Sequence, residues 1–184
     1  MATLVATAKA TNANSYCTLA EANTFMETVR PEDETIWLQR AEATRERLLI
    51  MSTRLIDQHW IFMGFKSDVD QALLWPRTSV LVDGKFSVAG DGKNLDADTI
   101  PSAVKNATAE LARILVGTDV TADPDLAGFK QVAVAGMAIT TDSKDRYSQG
   151  VMRSSVYSFL RKYGSYKPGI NSGGAALSVA KVSR

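Results

Sequence analysis

The stretch WLQRAEATRERLLIMSTRLIDQ, Trp37 to Gln58, decides the fold class. Trp37, Ala41, Thr44, Leu48, Met51 and Leu55 fall at offsets 0, 4, 7, 11, 14 and 18, one continuous helical stripe. Arg40, Arg45, Glu46, Arg47 and Arg54 cover the other faces. Upstream, Pro31 and the acids Glu32, Asp33 and Glu34 suit the first turn of this helix, where negative charge meets the dipole. The spacing therefore predicts a single helix from Pro31 to about Gln58. A stripe of this kind is a core seam against neighbouring helices, and it points to a mainly α fold.

On the N-terminal side, Thr18-Leu19-Ala20-Glu21 is a capping box. It opens a short helix with Leu19, Ala22, Phe25, Met26 and Val29 inward, ending before Pro31. Residues 1–15 are small and polar and read as an extended arm. On the C-terminal side, His59 to Gly92 reads as an aromatic-rich loop and a hairpin. In that hairpin Val80-Leu81-Val82 and Phe86-Ser87-Val88 flank the turn Asp83-Gly84-Lys85. Ile100-Pro101 opens a third helix to about Val116, with Ala103, Val104, Ala107, Leu111, Ile114 and Leu115 inward and Gly117 as its stop. Asp119 to Gly128 reads as a loop. Lys130 to Thr140 reads as two short strands about Ala135-Gly136. A last helix covers about Val151 to Tyr163, with Met152, Val156, Phe159, Leu160 and Tyr163 on one side and Gly164 at its end. The expected architecture is a small helical bundle with one or two short β-hairpins and an extended C-terminal arm. Residues 1–164 form the helical domain and 165–184 a flexible basic arm without periodicity.

The chain has 184 residues, 45% apolar and 22% charged, which fits one soluble globular domain rather than a disordered or collagen-like chain. No apolar run approaches the ~20 residues needed to span a bilayer, so no membrane partner is expected. Met1 to Ala10 lacks the apolar centre of a signal peptide. The single cysteine, Cys17, permits no intrachain disulfide, which suits synthesis in the cytoplasm. The net charge of +1 hides an asymmetry. Residues 1–143 carry 13 basic and 19 acidic residues, a balance of −6, and residues 144–184 carry 8 basic residues and one acid, a balance of +7. An acidic body with a basic end will attract different partners to its two parts.

Nucleophilic catalysis needs a nucleophile beside a base and an orienting group. The chain offers one histidine, His59, and one cysteine, Cys17, in no catalytic signature, and it has no G-x-S-x-G elbow. The carboxylates of Asp91 to Asp98 and Asp119 to Asp125 lack EF-hand spacing. Gly90-Asp91-Gly92-Lys93 lacks the upstream glycine and the following Ser/Thr of a phosphate loop. No catalytic residue, metal site or cofactor is expected. Lys144, Arg146, Arg153, Arg161, Lys162 and Lys167 alternate with Tyr147, Tyr157, Tyr163 and Tyr166, the ingredients of a single-strand binding surface. Several of those rings fall on the apolar side of the last helix, however, and the acidic body repels a phosphate backbone.

Five local signatures together resemble a tailed-phage protein family. They are Asn14-Ser15-Tyr16, Leu19-Ala20-Glu21-Ala22, Gln71-Ala72-Leu73-Leu74-Trp75-Pro76-Arg77, Ile100-Pro101-Ser102-Ala103-Val104 and Ala107-Thr108-Ala109-Glu110-Leu111-Ala112. Members of the family are labelled DnaT-like single-stranded-DNA-binding proteins, and in virions such proteins look like head–tail adaptors. The similarity spans about Asn14 to Leu160 and leaves out the Gly/Ser-rich end. It implies a helical adaptor at the virion neck, assembled as a ring, commonly of twelve, between the portal protein and a tail or tail-completion protein. DNA would pass through the channel without sequence-specific binding. The alternative it implies is a replication-associated single-stranded-DNA-binding protein.

Within this reading Trp37, Trp75, Pro76, Arg77 and Pro101 are structural anchors, with Trp75 buried and Arg77 paired to a carboxylate nearby or across a subunit boundary. Partner binding is expected from Arg161, Lys162, Tyr163, Tyr166, Lys167, Ile170, Leu177, Val179, Lys181 and Arg184, whose rings and aliphatic groups would anchor while the cations steer toward an acidic surface.

Overall fold

The computed structural model describes residues 3–84, 92–118 and 152–167 in full, and the backbone of 131–134 and 137–140. Among these residues it is mainly α, with five helices and three two-stranded antiparallel pairs. The helices are α1 (Leu19–Val29), α2 (Pro31–Leu38), α3 (Glu42–His59), α4 (Ser102–Gly117) and α5 (Ser154–Leu160). The strands are β1 (Trp60–Phe62), β2 (Phe65–Lys66), β3 (Arg77–Thr78), β4 (Gln131–Val134), β5 (Met137–Thr140) and β6 (Gly164–Tyr166).

The capping box forms as expected: the Glu21 amide donates to Thr18 Oγ1 and the Thr18 amide donates to the Glu21 carboxylate. Ala22, Phe25 and Met26 of α1 are buried, while Val29 stays about half exposed. The helix expected from Pro31 to Gln58 is instead two, broken at Gln39 to Ala41. The break has a tertiary cause. Asn23 Oδ1 accepts from Trp37 Nε1 at 2.8 Å and from an Arg45 guanidinium nitrogen at 2.9 Å. A straight helix would set those two residues about 12 Å apart along its axis. The buried face of α3 also differs from the stripe, since Leu49, Ser52, Thr53 and Ile56 are buried with Leu55 while Ala41 and Met51 are exposed. Two hydroxyls make that face usable. Ser52 Oγ donates to the Leu48 carbonyl, and Thr53 Oγ1 accepts the Tyr16 amide.

Helix α4 is the centre of the molecule, packed against α1, α3 and α5. Every residue from Ala107 to Ala112 is buried, so its small side chains admit neighbours on more than the expected face. On one side lie Tyr16, Ile56, Trp60, Trp75, Leu111 and Leu160; on the other lie Phe25, Met26, Trp37, Leu49, Ala109 and Ala112. Pro101 is its buried N-cap residue. The expected last helix is shorter than its pattern, ending at Leu160, yet Met152, Val156, Leu160 and Tyr163 are buried as read.

The strands depart further from expectation. Gly84, at φ +57°, closes a turn onto Leu81, but Val80 to Val82 pair with Lys93 to Leu95. The expected partner, Phe86-Ser87-Val88, lies outside the described residues, as do the loop 119–128 and positions 168–184. β4 and β5 pair as read, with Val134 opposite Met137 across the Ala135-Gly136 connection. Gly164 to Tyr166, at the expected end of the helix and start of the arm, form β6 against β1, and the Lys167 amide continues the pairing onto His59 O at 2.7 Å.

Candidate functional site

Residues 62–78 form a knot below the C-terminal end of α3. Trp75 is buried and meets the rings of Phe62 and Tyr163 edge-on, each at a centroid distance of 5.5 Å. Pro76 is buried behind a cis peptide bond. Arg77 is also buried, and among the described residues of the chain its guanidinium pairs with no carboxylate. It donates instead to the carbonyls of Met63 (2.6 Å), Leu74 (3.0 Å), Phe62 (3.4 Å) and Gly64 (2.5 Å). Phe62 ends β1 while Met63, Gly64 and Leu74 lie in irregular backbone, and a five-donor fork is suited to collecting their carbonyls. Asp57 faces the same knot, accepting from the Tyr16 hydroxyl and from the Leu74 amide. Burial pushes its carboxyl up to about 6.

At the other end of α3 an ionic network joins α1, α2 and α4. Glu110, with a fully buried side chain, accepts from Arg30 Nε at 3.2 Å and from Arg113 Nε at 3.1 Å, each paired through a second nitrogen as well. Arg113 also donates to Asp33 at 2.8 Å. Burial alone would raise the Glu110 carboxyl, yet the Arg113 and Arg30 hydrogen bonds hold it below the usual carboxylate range. Beside this network a cleft of about 500 Å³ is lined by Asp33, Ile36, Trp37, Arg40, Arg113 and Arg153, among others. The cleft and the network were not singled out from sequence. The pair Glu110 and Arg113, three residues apart in an Ala-rich helix, was the available signal.

The expected partner-binding residues separate in the structure. Tyr163 is buried in the core, with the Lys162 ammonium 4.8 Å from its ring centroid. Tyr166, opposite Trp60, stacks on His59 at 6.1 Å. Arg161 and Lys167 are exposed. Ile170, Leu177, Val179, Lys181 and Arg184 lie outside the described residues. Cys17 is buried, and desolvation raises its thiol to about 12, which keeps it protonated at neutral pH. Burial, then Lys167, lowers the His59 imidazole. No described helix is long and apolar enough to cross a membrane.

These features define a small mainly helical protein whose chemistry is concentrated in charged and apolar surfaces. Over residues 1–182 the chain matches the family described as "Putative DnaT-like ssDNA binding protein", and it belongs to that family. The match runs past the Asn14 to Leu160 stretch, so the Gly/Ser-rich end is part of the family pattern too. No curated protein and no solved structure matches the chain.

Proposed function

We propose that this chain is a structural head-to-tail adaptor of a tailed bacteriophage, forming a ring between portal and tail through which DNA passes. The observation that carries the reading is two sets of exposed apolar side chains, one on α1 and α2, which precede α3, and one around β1 and β2, which follow it. Val29, Ile36 and Leu38 are 46–49% exposed at the α1–α2 corner, and Ile61, Phe65 and Val69 are 54–89% exposed around β1 and β2. A contact between two different patches is heterologous, and when its rotation closes it generates a ring. The resemblance to head–tail adaptors and the +7 balance of the C-terminal region support the same reading, with the portal as the partner of that basic end.

A second reading, single-stranded-DNA binding in replication, is favoured by the family's description and by Phe65, the one exposed aromatic ring among the described residues, which sits beside Lys66. Native mass spectrometry of the purified chain, with a dT20 titration at 50 and 200 mM salt, separates the two. The adaptor reading expects a discrete ring and weak DNA binding. A monomer that binds dT20 with a steep salt dependence would overturn it.

A further inference from the structure

Helix α3 sorts its charges onto separate faces. Arg47, Met51, Arg54 and Gln58 follow one another at intervals of four, three and four residues, so they share one face, and all four are exposed. The carboxylates of the helix, Glu42, Glu46 and Asp57, recur on a different face at intervals of four and eleven. Asp57, three residues past Arg54, is turned to Tyr16 and Leu74. The positions four residues from the two arginines hold Ala43, Met51, Ile50 and Gln58, so the acid–base pairs that commonly lace a solvent-facing helix are missing from this face.

Neither guanidinium is engaged by a carboxylate. Among the described residues Arg54 makes no hydrogen bond or ion pair. Arg47 donates its Nε to the Ala43 carbonyl at 3.1 Å, which steadies the side chain along the helix and leaves both terminal nitrogens for an outside acceptor. Seven residues of helix set the two arginines about 10 Å apart along the axis, the rise of about three base pairs in a duplex. A guanidinium forks onto two oxygens of one phosphate. Met51, 36% exposed, is the one large apolar side chain in the row, too small an apolar centre for a protein partner. The row also holds no aromatic ring, and Phe65 belongs to β2. A single strand is held largely by stacking its bases on rings, whereas phosphate contacts suffice to touch a duplex without reading it.

We infer that the Arg47–Arg54 face of α3 is the surface with which the chain touches the phosphate backbone of double-stranded DNA, without reading its sequence. The inference rests on the passage of DNA proposed above and names the face that meets it. Two phosphate contacts per chain are few, and each displaces about one counterion. Glu42 and Glu46 on the neighbouring face weaken the contact further. A duplex is therefore touched and released rather than held, and the contact fades as salt rises.

The test is fluorescence anisotropy of a labelled 30-bp duplex and of dT20 with the full chain between 25 and 200 mM salt, with native mass spectrometry of the same samples. Arg47→Gln and Arg54→Gln remove exposed charges from the face, Lys93→Gln removes an exposed charge elsewhere, and circular dichroism verifies that each variant folds. The wild type is expected to bind the duplex at low salt. Each arginine variant is expected to bind it several-fold more weakly, with the slope of log affinity against log salt reduced by about 1 for each chain in contact. The double variant is expected to lose the binding, and Lys93→Gln to keep it. A wild type that ignores the duplex, a double variant that binds like the wild type, or a loss in Lys93→Gln equal to that of the arginine variants overturns the inference. If the arginine variants abolish dT20 binding while the duplex is never bound, the face serves single strands and the duplex assignment is wrong. A monomer whose duplex binding depends on both arginines overturns the ring and keeps the face. A ring whose duplex binding ignores them keeps the ring and overturns the face.

Discussion

Trp75 is the side chain on which the central knot closes, since its ring meets both Phe62 from β1 and Tyr163 from the end of α5. Truncating a buried indole typically costs about 3–5 kcal/mol. Trp75→Ala is therefore expected to lower the melting temperature on the order of 10 °C, measured by thermal unfolding. Asp57 gives a pH signature. Its folded carboxyl titrates near 6, above the ordinary value of 3.8, because burial disfavours the charged form. The folded chain thus holds a proton that the unfolded chain has released, and stability from this group falls as pH rises between about 4 and 6, by roughly 3 kcal/mol. Urea unfolding across that window is expected to show the decline in the wild type and its loss in Asp57→Asn. At this scale the sequence made the aromatic anchors readable, because large rings beside proline have few places to go but the core. Arg77 was not readable. A guanidinium suggests a carboxylate partner, and only the fold brings four carbonyls around it.

Elements were legible where local chemistry fixes them. The Thr18–Glu21 box, the Pro101 start of α4 and the Val134–Met137 closure of β4 on β5 all follow from residues within a few positions of one another. The break between α2 and α3 was not legible, because Gln39-Arg40-Ala41 contains no helix breaker and the cause, Asn23, lies on another helix. The pairing of Val80 to Val82 with Lys93 to Leu95 was hidden for the same reason: Asp83-Gly84 signals a turn but not how far the returning strand lies. Strand β6 depends on a glycine. A Cβ at Gly164 would lie 2.1 Å from Ile61 O and 2.6 Å from Trp60 Nε1. Gly164→Ala is expected to destabilise by about 2–3 kcal/mol through this overpacking. The same change at Gly117, where nothing lies within 4 Å, is expected to leave stability unchanged or raise it by up to about 1 kcal/mol. Paired denaturant titrations of the two variants test both halves.

For the whole molecule, the charge asymmetry was plain in the sequence, but the surfaces it acts through were not. Exposure of Val69 between Asp68 and Asp70, and the placing of Arg40 and Arg113 along one cleft, are products of the tertiary fold that no spacing encodes. Ser165 to Lys167, the first residues of the expected arm, pair with β1 and with His59. Truncation after Lys167 is expected to leave stability unchanged, because β6 and its pairing with β1 remain. Truncation after Gly164 removes the Tyr166–His59 stack and the Lys167–His59 hydrogen bond, with an expected loss of roughly 1–3 kcal/mol in urea unfolding. If the first truncation proved as damaging as the second, residues beyond Lys167 would have to brace the body. The antiparallel pairing of β6 with β1 gives the C-terminal end a mechanical character. Tension directed along β6 stretches its hydrogen bonds to β1 all at once, whereas tension directed away from the sheet breaks them singly, beginning at Lys167. The pairing therefore resists pulling far better in one direction than in the other.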